Sequence, residues 1–362
     1  MSTVVRLARS GLGARRPAPA PRLALLGTGT VGAAFVTRWN RLRQQGVAVP
    51  EIAWLCNSRA LRPGGDNPLQ ALEDTRAAPE GTGGWAPWVE AESLRPGDVM
   101  VDATASDIVA GWHAEWLARG VHVVTANKLG AGADLARAQA VAAARTGGAG
   151  YGDAATVGAG LPLLRTIRTL VAGGDRIHAV EGVLSGSLAW LFDNYDGARP
   201  FSELVRQARA DGYAEPDPRE DLSGGDVRRK LLILARAAGR QLQAHDVHID
   251  PLLPAALAAA EQDGADALLP LLDAPMAARL EKARAAGERL RFVGRFDADG
   301  ASVGLRALPA DHPLCAGSGT DNVVAITSCR YRPQPLVIRG PGAGAEVTAA
   351  ALLDDVLAIV TG

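Results

Sequence analysis

The sequence predicts a two-domain protein of the α/β class, with a parallel sheet and crossover helices first and a second, α+β domain after it. Apolar runs alternate with helix-length stretches from Arg22 to about Gly150, the grammar of β-α-β units. A glycine-rich turn at 27–32 joins the first apolar run to the first helical stretch. Past Gly150 the order changes: a helix-like stretch precedes a strand, and several helices follow almost consecutively to Ala286. A length of 362 residues accommodates two such domains.

Residues 1–21 carry Arg6, Arg9, Arg15 and Arg16, a Pro/Ala stretch, and no acidic residue. This composition predicts a disordered leader, and it also resembles an organelle transit peptide without that class's serine content or a clear amphipathic face. Regular structure then begins: a strand at Leu23 to Leu26, a helix to about Gln45, and a strand from Ile52 to Cys56. Residues 61–97, rich in Gly, Pro and Trp, are expected to be an irregular insertion. A strand at Val99 to Asp102, a helix from Ile108 to Arg119 and a strand at Val121 to Thr125 restore the alternation. The expected boundaries are 22–150 for the first domain, completed by a C-terminal segment 340–362, and 151–339 for the second. In the second, a helix at Leu163 to Val171 precedes a strand at Ile177 to Leu184. Strands at Leu290 to Phe296 and Ala301 to Ala307, split by Asp297-Ala298-Asp299-Gly300, form a hairpin, and two more strands lie at Val323 to Thr327 and Pro335 to Arg339. Glycines at 340, 342 and 344 lead into a last apolar-periodic helix that returns to the first domain.

Composition excludes several function classes. With 38 Lys+Arg against 39 Asp+Glu the chain has no overall field for nucleic acid or an anionic membrane. No apolar run approaches the roughly 18 residues that span a bilayer. Three unpatterned cysteines, Cys56, Cys315 and Cys329, fit a reducing cytoplasm and offer no CxxC zinc pair.

Gly27-Thr28-Gly29-Thr30-Val31-Gly32 follows a strand and opens a helix, the setting in which GxGxxG has a mechanism. Gly27 makes the tight turn, Gly29 lets the backbone approach a pyrophosphate, and Gly32 permits close helix-sheet packing, with Thr30 and Val31 at the helix N-terminus. The expected fold is therefore a Rossmann-type dinucleotide-binding domain. The second strand ends in Asn57-Ser58-Arg59 where an NAD site usually places an acidic residue. A hydroxyl at Ser58 and a guanidinium at Arg59 favour NADP, with NAD still open; otherwise Arg59 is a solvated surface cation. Asp102-Ala103-Thr104-Ala105-Ser106 and Thr125-Ala126-Asn127-Lys128 end the next two strands and open onto the ligand crevice.

The segment from Gly212 to Lys230 is dense in carboxylates and runs into Leu231-Leu232-Ile233-Leu234. Asp226 and Lys230, four apart, share one helix face. They form either an ordinary surface pair or, since an apolar run follows at once, a buried lysine that needs a partner or a job.

With these stretches assembled, the chain resembles a homoserine dehydrogenase, most closely the dehydrogenase half of the fused aspartokinase–homoserine dehydrogenases. The matching pieces are GTGTVG (27–32), DATAS (102–106), TANK (125–128), VGAGLPLL (157–164), GVLSGSLAW (182–190), GYAEPDPREDLSGGDVRRKLLILAR (212–236) and RGPGAGAEVTAA (339–350). Neither an aspartokinase domain nor a regulatory ACT domain fits within this length. The resemblance implies reduction of L-aspartate 4-semialdehyde to L-homoserine by NADPH or NADH, in a homodimer formed through the second domain. It makes Lys230 the general acid-base, Lys128 its neighbour beside substrate and nicotinamide, and Asp226 a carboxylate near the amino acid that orients the hydroxyl or Lys230. It assigns Gly186, Ser187, Tyr213, Glu215 and Asp221 to the amino acid, and Thr104, Lys128 and Gly344 to the cofactor. It further implies a monovalent cation such as sodium on the carbonyls of Val157, Ala159 and Leu161. The carboxylate expected three residues before that valine is absent: Ala154 stands there, with Asp153 one residue earlier. Two rivals remain: another amino-acid dehydrogenase on the same fold, and a catalytically silent NAD(P)-binding regulator.

Overall fold

A computed structural model describes residues 19–79 and 94–361. Most of the expected leader and the middle of the expected insertion lie outside the described residues. The first sheet contains β1 (Arg22–Leu26), β2 (Glu51–Cys56), β3 (Leu61–Pro63), β4 (Val99–Asp102), β5 (His122–Thr125) and β6 (Tyr151–Gly152), in the order β3-β2-β1-β4-β5-β6. All pairs are parallel except β2 with β3. Strand order reverses between β1 and β4, so the crevice at their carboxyl ends is where a dinucleotide binds in such sheets.

Both faces of this sheet are covered, and for that reason its strands are continuous apolar runs. Leu23 and Leu25 pack with Phe35, Val36 and Trp39 of the helix Thr30–Gln44 on one face. Ala24 and Leu26 face Val109, Trp116 and Val141 on the other. The C-terminal helix Ala345–Thr361 buries Ala349, Leu352, Leu353 and Val356 in the first of these clusters, against the Thr30–Gln44 helix.

The second sheet runs β12-β11-β7-β9-β10-β8, with β7 at Ile177–Val183, β8 at Val247–Ile249, β9 at Glu288–Phe296, β10 at Ala301–Pro309, β11 at Asp321–Ser328 and β12 at Leu336–Pro341. The expected β9–β10 hairpin is present, antiparallel about Asp297–Gly300. Helices Leu163–Ala172, Gly186–Asn194, Phe201–Ala210 and Gly225–Ala237 bury their apolar faces against one side of this sheet in a single large cluster.

Several local expectations need correction. The expected helix 108–119 is two short helices, Asp107–Gly111 and His113–Ala118, meeting at Trp112. The stretch from residue 61 is not wholly irregular, since it holds β3 and the helix Pro68–Arg76. That helix carries its own start signal, Asn67 accepting from Gln70 N at 3.2 Å with Pro68 in the first turn. The short β8 had no periodic signal, and β6 carries the first sheet just past residue 150.

Asp98, 2% exposed, fastens the start of β1 to the turn before β4. It accepts from Arg22 N at 3.0 Å, Arg22 Nη2 at 2.8 Å and Arg95 N at 2.9 Å. Burial opposes its charge, but the bonds from Arg22 and Arg95 prevail and hold its carboxyl at about 2, below the ordinary 3.8. A folded-state value below the unfolded one gives stability present above about pH 4 and lost as pH falls towards 2. Urea unfolding should therefore show wild type more stable than Asp98→Asn at pH 6, with the gap narrowing between pH 5 and pH 3. A gap independent of pH would remove this assignment.

Candidate active site

The glycine turn has the backbone its sequence requires. Gly27 sits at φ +96°, and a Cβ there would press on the Ala103 carbonyl. At Gly32 a Cβ would overlap the Gly27 carbonyl, so the helix meets the turn in direct contact. Gly29 has nothing within 4 Å of an added Cβ and caps its helix without a side chain. The space beside Gly29, at the N-terminus of the helix that Thr30 and Val31 open, is thus free, a fit for a pyrophosphate. A groove of about 730 Å³ continues from Gly27, Thr28 and Gly29 past Asn57, Ser58 and Arg59 to Glu73 and Arg76, with Thr104 on its other wall. Ser58 and Arg59 are exposed there. Lys128 and Gly344 are not among its walls; Gly344, at φ +120°, lies just before the C-terminal helix.

Asn57 is a residue whose role the sequence did not disclose. Its buried amide donates to Thr28 Oγ1 at 2.9 Å and Thr75 O at 3.0 Å, and accepts from Arg59 N at 2.8 Å. It holds the end of β2 against the glycine turn and so sets where Ser58 and Arg59 stand.

The ends of β4 and β5 are joined by a second buried network. Asp102 accepts from Thr104 Oγ1 at 2.7 Å and pairs with His113 Nε2 at 2.9 Å, both partners of that pair being fully buried. His113 Nδ1 meets the Tyr151 hydroxyl at 3.2 Å. Asn127 donates to Ser106 O at 2.8 Å and accepts from Leu129 N at 3.0 Å. Thr104 and the backbone that presents Lys128 are thereby fixed on one platform.

Lys128 meets the carboxylate-rich segment across the join of the two sheets' territories. Its Nζ is 3.4 Å from Asp226 Oδ1, and Lys230 Nζ is 2.9 Å from Asp226 Oδ2. Lys230 also donates to Leu184 O at 2.7 Å and is 12% exposed. Lys230 is thus largely enclosed, while Asp226 and Lys128 stay partly open to solvent. Burial works against charge on Asp226, yet Lys230 and Lys128 outweigh it and hold the carboxyl at about 2. Asp226 is ionised throughout the working range.

Beside this triad, Ser187 Oγ donates to Asp221 Oδ1 at 2.6 Å, and Glu215 N donates to Asp221 Oδ2 at 2.9 Å. Ser187 stands in the first turn of the helix that Gly186 begins and Ser185 caps. Burial raises the Glu215 carboxyl, and Asp221, Glu220 and Asp226 raise it further, against the opposing pull of Lys128. Tyr213, 45% exposed, stacks on Trp190 with ring centroids 5.1 Å apart. The cluster offers surplus negative charge and a set of acceptors, suited to a cationic amine.

The implied cation position keeps its backbone carbonyls, but its nearest carboxylate is already paired. Val157 and Ala159 are buried, Ala159 at φ +49°, and Leu161 O accepts from Leu163 N at 2.8 Å with a second lone pair left. Asp153, the one neighbouring carboxylate in the sequence, is held by both Nη1 and Nη2 of Arg168, at 2.5 and 2.7 Å. Ala154 N is capped by Asp355 Oδ2 of the C-terminal helix at 2.9 Å. No grouping of three or more His, Cys, Asp or Glu side chains suited to a metal occurs among the described residues.

A parallel sheet whose first turn is GxGxxG and whose strand order reverses at an open groove is the arrangement of a nicotinamide-dinucleotide-binding protein. Models for "Homoserine dehydrogenase, NAD binding domain" and "Homoserine dehydrogenase" match residues 27–151 and 162–357. A homoserine dehydrogenase of Emericella nidulans is 36% identical over 370 residues, covering 93% of this chain and 98% of its own. The chain belongs to the homoserine dehydrogenase family. A chloroplastic bifunctional aspartokinase/homoserine dehydrogenase 2 of Zea mays is 42% identical over 294 residues, 80% of this chain. This chain matches about a third of that relative's length, 32%. A hyperthermophilic archaeal homoserine dehydrogenase solved in complex with NADPH shares the fold, with a TM-score of 0.73 at 19% identity over 95% of this chain and 98% of its own.

Arg236 was also missing from the sequence-derived set. From the far end of the Lys230 helix it donates to Ala131 O at 2.6 Å, Ala133 O at 2.8 Å and Leu242 O at 2.8 Å. It thereby clamps the short helix Leu129–Gly132, which Lys128 begins, to the helix that carries Asp226 and Lys230. Arg236→Met should lower kcat about ten- to a hundredfold through misalignment of the lysines, with NADPH affinity within about twofold of wild type. Initial rates and NADPH fluorescence titrations decide it; unchanged kcat would make the clamp dispensable.

Proposed function

We propose that this protein reduces L-aspartate 4-semialdehyde to L-homoserine, with NADP(H) preferred over NAD(H). The observation that carries the reading is Asp226 held between Lys128 and Lys230 beside the Ser187–Asp221–Glu215 cluster. When bound, the nicotinamide cofactor supplies the hydride. Lys230, directly or through one water, donates the proton to the aldehyde oxygen as it becomes a hydroxyl, and accepts it back in the oxidation direction. Lys128 adds a second ammonium that favours the developing alkoxide. Asp226 keeps the two cations close and oriented. Glu215 pairs with the substrate ammonium, while Gly186, Ser187, Tyr213 and Asp221 shape the rest of the amino-acid pocket. Gly27, Gly29, Thr30, Val31 and Gly32 take the pyrophosphate, Thr104 lines the cofactor groove, and Gly344 meets the cofactor beyond that groove's walls.

We assign cofactor binding to residues 22–150 with 340–362, and substrate binding and homodimerisation to 151–339. The assignment is supported by separate apolar clusters beneath the two sheets. A cytoplasmic enzyme without a membrane or nucleic-acid partner fits the balanced charge, and no helix among the described residues is long and apolar enough to cross a membrane. The NADP preference rests on Ser58 and Arg59 at the ribose end of the groove, and the archaeal relative's complex with NADPH is in keeping with it. We derive no step through a monovalent cation.

Consumption of NADPH on adding aspartate semialdehyde tests the activity. Lys230→Ala should cost turnover about 10²–10⁴-fold while leaving NADPH binding nearly intact; activity within about tenfold of wild type would remove Lys230 from proton transfer. For the cofactor, Ser58→Asp with Arg59→Ala should move the kcat/KM ratio from NADP towards NAD. Loss of a charge-assisted contact weakens NADP about ten- to a hundredfold, and the new carboxylate repels a 2′-phosphate while accepting from a free ribose diol. A ratio that stays put would make Arg59 an ordinary surface cation.

A further inference from the structure

Asn322 is fully buried beside the Lys230 anchor, and nothing in the proposed chemistry uses it. Sheet register explains where it stands. β11 lies between β7 and β12: Val323 pairs with Val183 at the end of β7, and Asn322 itself pairs with Gly340 of β12. The residue after β7 is Leu184, whose carbonyl receives the Lys230 ammonium at 2.7 Å. Asn322 Nδ2 reaches that same carbonyl at 3.5 Å, a long contact. On the opposite side β12 leads into the glycines at 342 and 344. A Cβ at Gly342 would overlap Cγ, Nδ2 and Oδ1 of Asn322, so the loop rests directly on the amide.

The amide is also incompletely satisfied. Its Oδ1 accepts no hydrogen bond from any described residue. A buried acceptor without a partner costs stability, and an apolar residue of the same shape would avoid the cost. The side chain is therefore held here for something other than packing.

We propose that Asn322 is a positioning residue that fixes two things at once: the Leu184 carbonyl on which the Lys230 ammonium rests, and the glycine loop that leads to Gly344 on the cofactor side. Through it the proton-transferring lysine and the cofactor loop keep one register. Asn322 touches neither substrate nor reacting atoms; it acts through Leu184 and Gly342. The inference rests on the assignment of Lys230 to proton transfer. The charged groups at this centre are Lys230, Lys128 and Asp226, with Asp321 next to Asn322 on its strand.

Two substitutions in the full-length protein test it. Asn322→Asp keeps the shape and adds a carboxylate near the Lys230 ammonium, which favours the protonated lysine. In homoserine oxidation, where Lys230 must accept a proton, the rising limb of the kcat–pH profile should move to higher pH by about half a unit or more. The KM for homoserine should stay within about twofold. Asn322→Leu should lower kcat about tenfold or more and weaken NADPH binding about fivefold by releasing the loop. Gly342→Ala, which displaces the same amide from the other side, should reproduce the loss of kcat and decides the matter if the leucine variant does not fold. Wild-type pH profiles and NADPH affinities in the folded variants, with only melting temperature changed, would overturn the proposal and leave Asn322 a core residue. Should Lys230→Ala itself remain active, the failure lies with the proton-transfer assignment; a dead Lys230→Ala beside wild-type-like Asn322 variants overturns this inference alone.

Discussion

Asp226 between Lys128 and Lys230 is the contact on which the arrangement depends, because its partners come from different parts of the chain. Lys128 follows the fifth strand of the first sheet, whereas Asp226 and Lys230 share a helix packed on the second. Two ammonium groups this near each other would repel in a partly dry site. A carboxylate at 3.4 and 2.9 Å from them turns that repulsion into a three-charge array. The array is only as good as its geometry, and the surrounding polar groups serve that geometry: Asn127 sets the backbone at Lys128, Leu184 O receives Lys230, and Arg236 bolts the two helices together.

Close backbone approach is the second device. Gly132 lies where a Cβ would press on the Arg229 carbonyl and on Ile233, and Gly130 where one would meet the Tyr151 hydroxyl and the His113 ring. The short helix after Lys128 therefore sits against both the Gly225–Ala237 helix and the buried Asp102–His113–Tyr151 network. Gly130 and Gly132 are small for that reason, and the helix propensity the two glycines lack is compensated by packing on both sides.

What was legible in the sequence follows from how far apart the interacting residues are. The glycine turn and its flanking strand and helix were readable because period, turn chemistry and helix start all fall within some twenty residues. Lys230 was readable because a lysine entering Leu231-Leu232-Ile233-Leu234 conflicts with burial and so asks for a partner. The roles of Asn57, His113, Arg236 and Asn322 were not. Arg236 reaches carbonyls more than a hundred positions away, and His113 meets Tyr151 across 38 residues. Such pairs leave no local pattern, since each residue alone looks like an ordinary polar side chain. Asp153 shows the reverse case: the sequence offered it as a stand-in metal ligand, and only the fold reveals that Arg168 already holds it.

Charge bookkeeping at the site gives the proposed substrate its orientation. Glu220, Asp221 and Asp226 lie close enough to act on Glu215, and the four carboxylates outnumber the two lysines. The Glu215 carboxyl answers this surplus by rising, burial first and its acidic neighbours next. A cationic amine arriving beside Glu215 would relieve the repulsion and favour its ionised form. The same amine would be repelled by the Lys128 and Lys230 ammonium groups, which favour an oxygen gaining negative charge. In the proposed binding mode the ammonium of the amino aldehyde lies towards Glu215 and Asp221, and its carbonyl oxygen towards the lysines. The Ser187–Asp221–Glu215 cluster and the Lys128–Asp226–Lys230 array thus give the two ends of a small, flexible substrate different electrostatic surroundings.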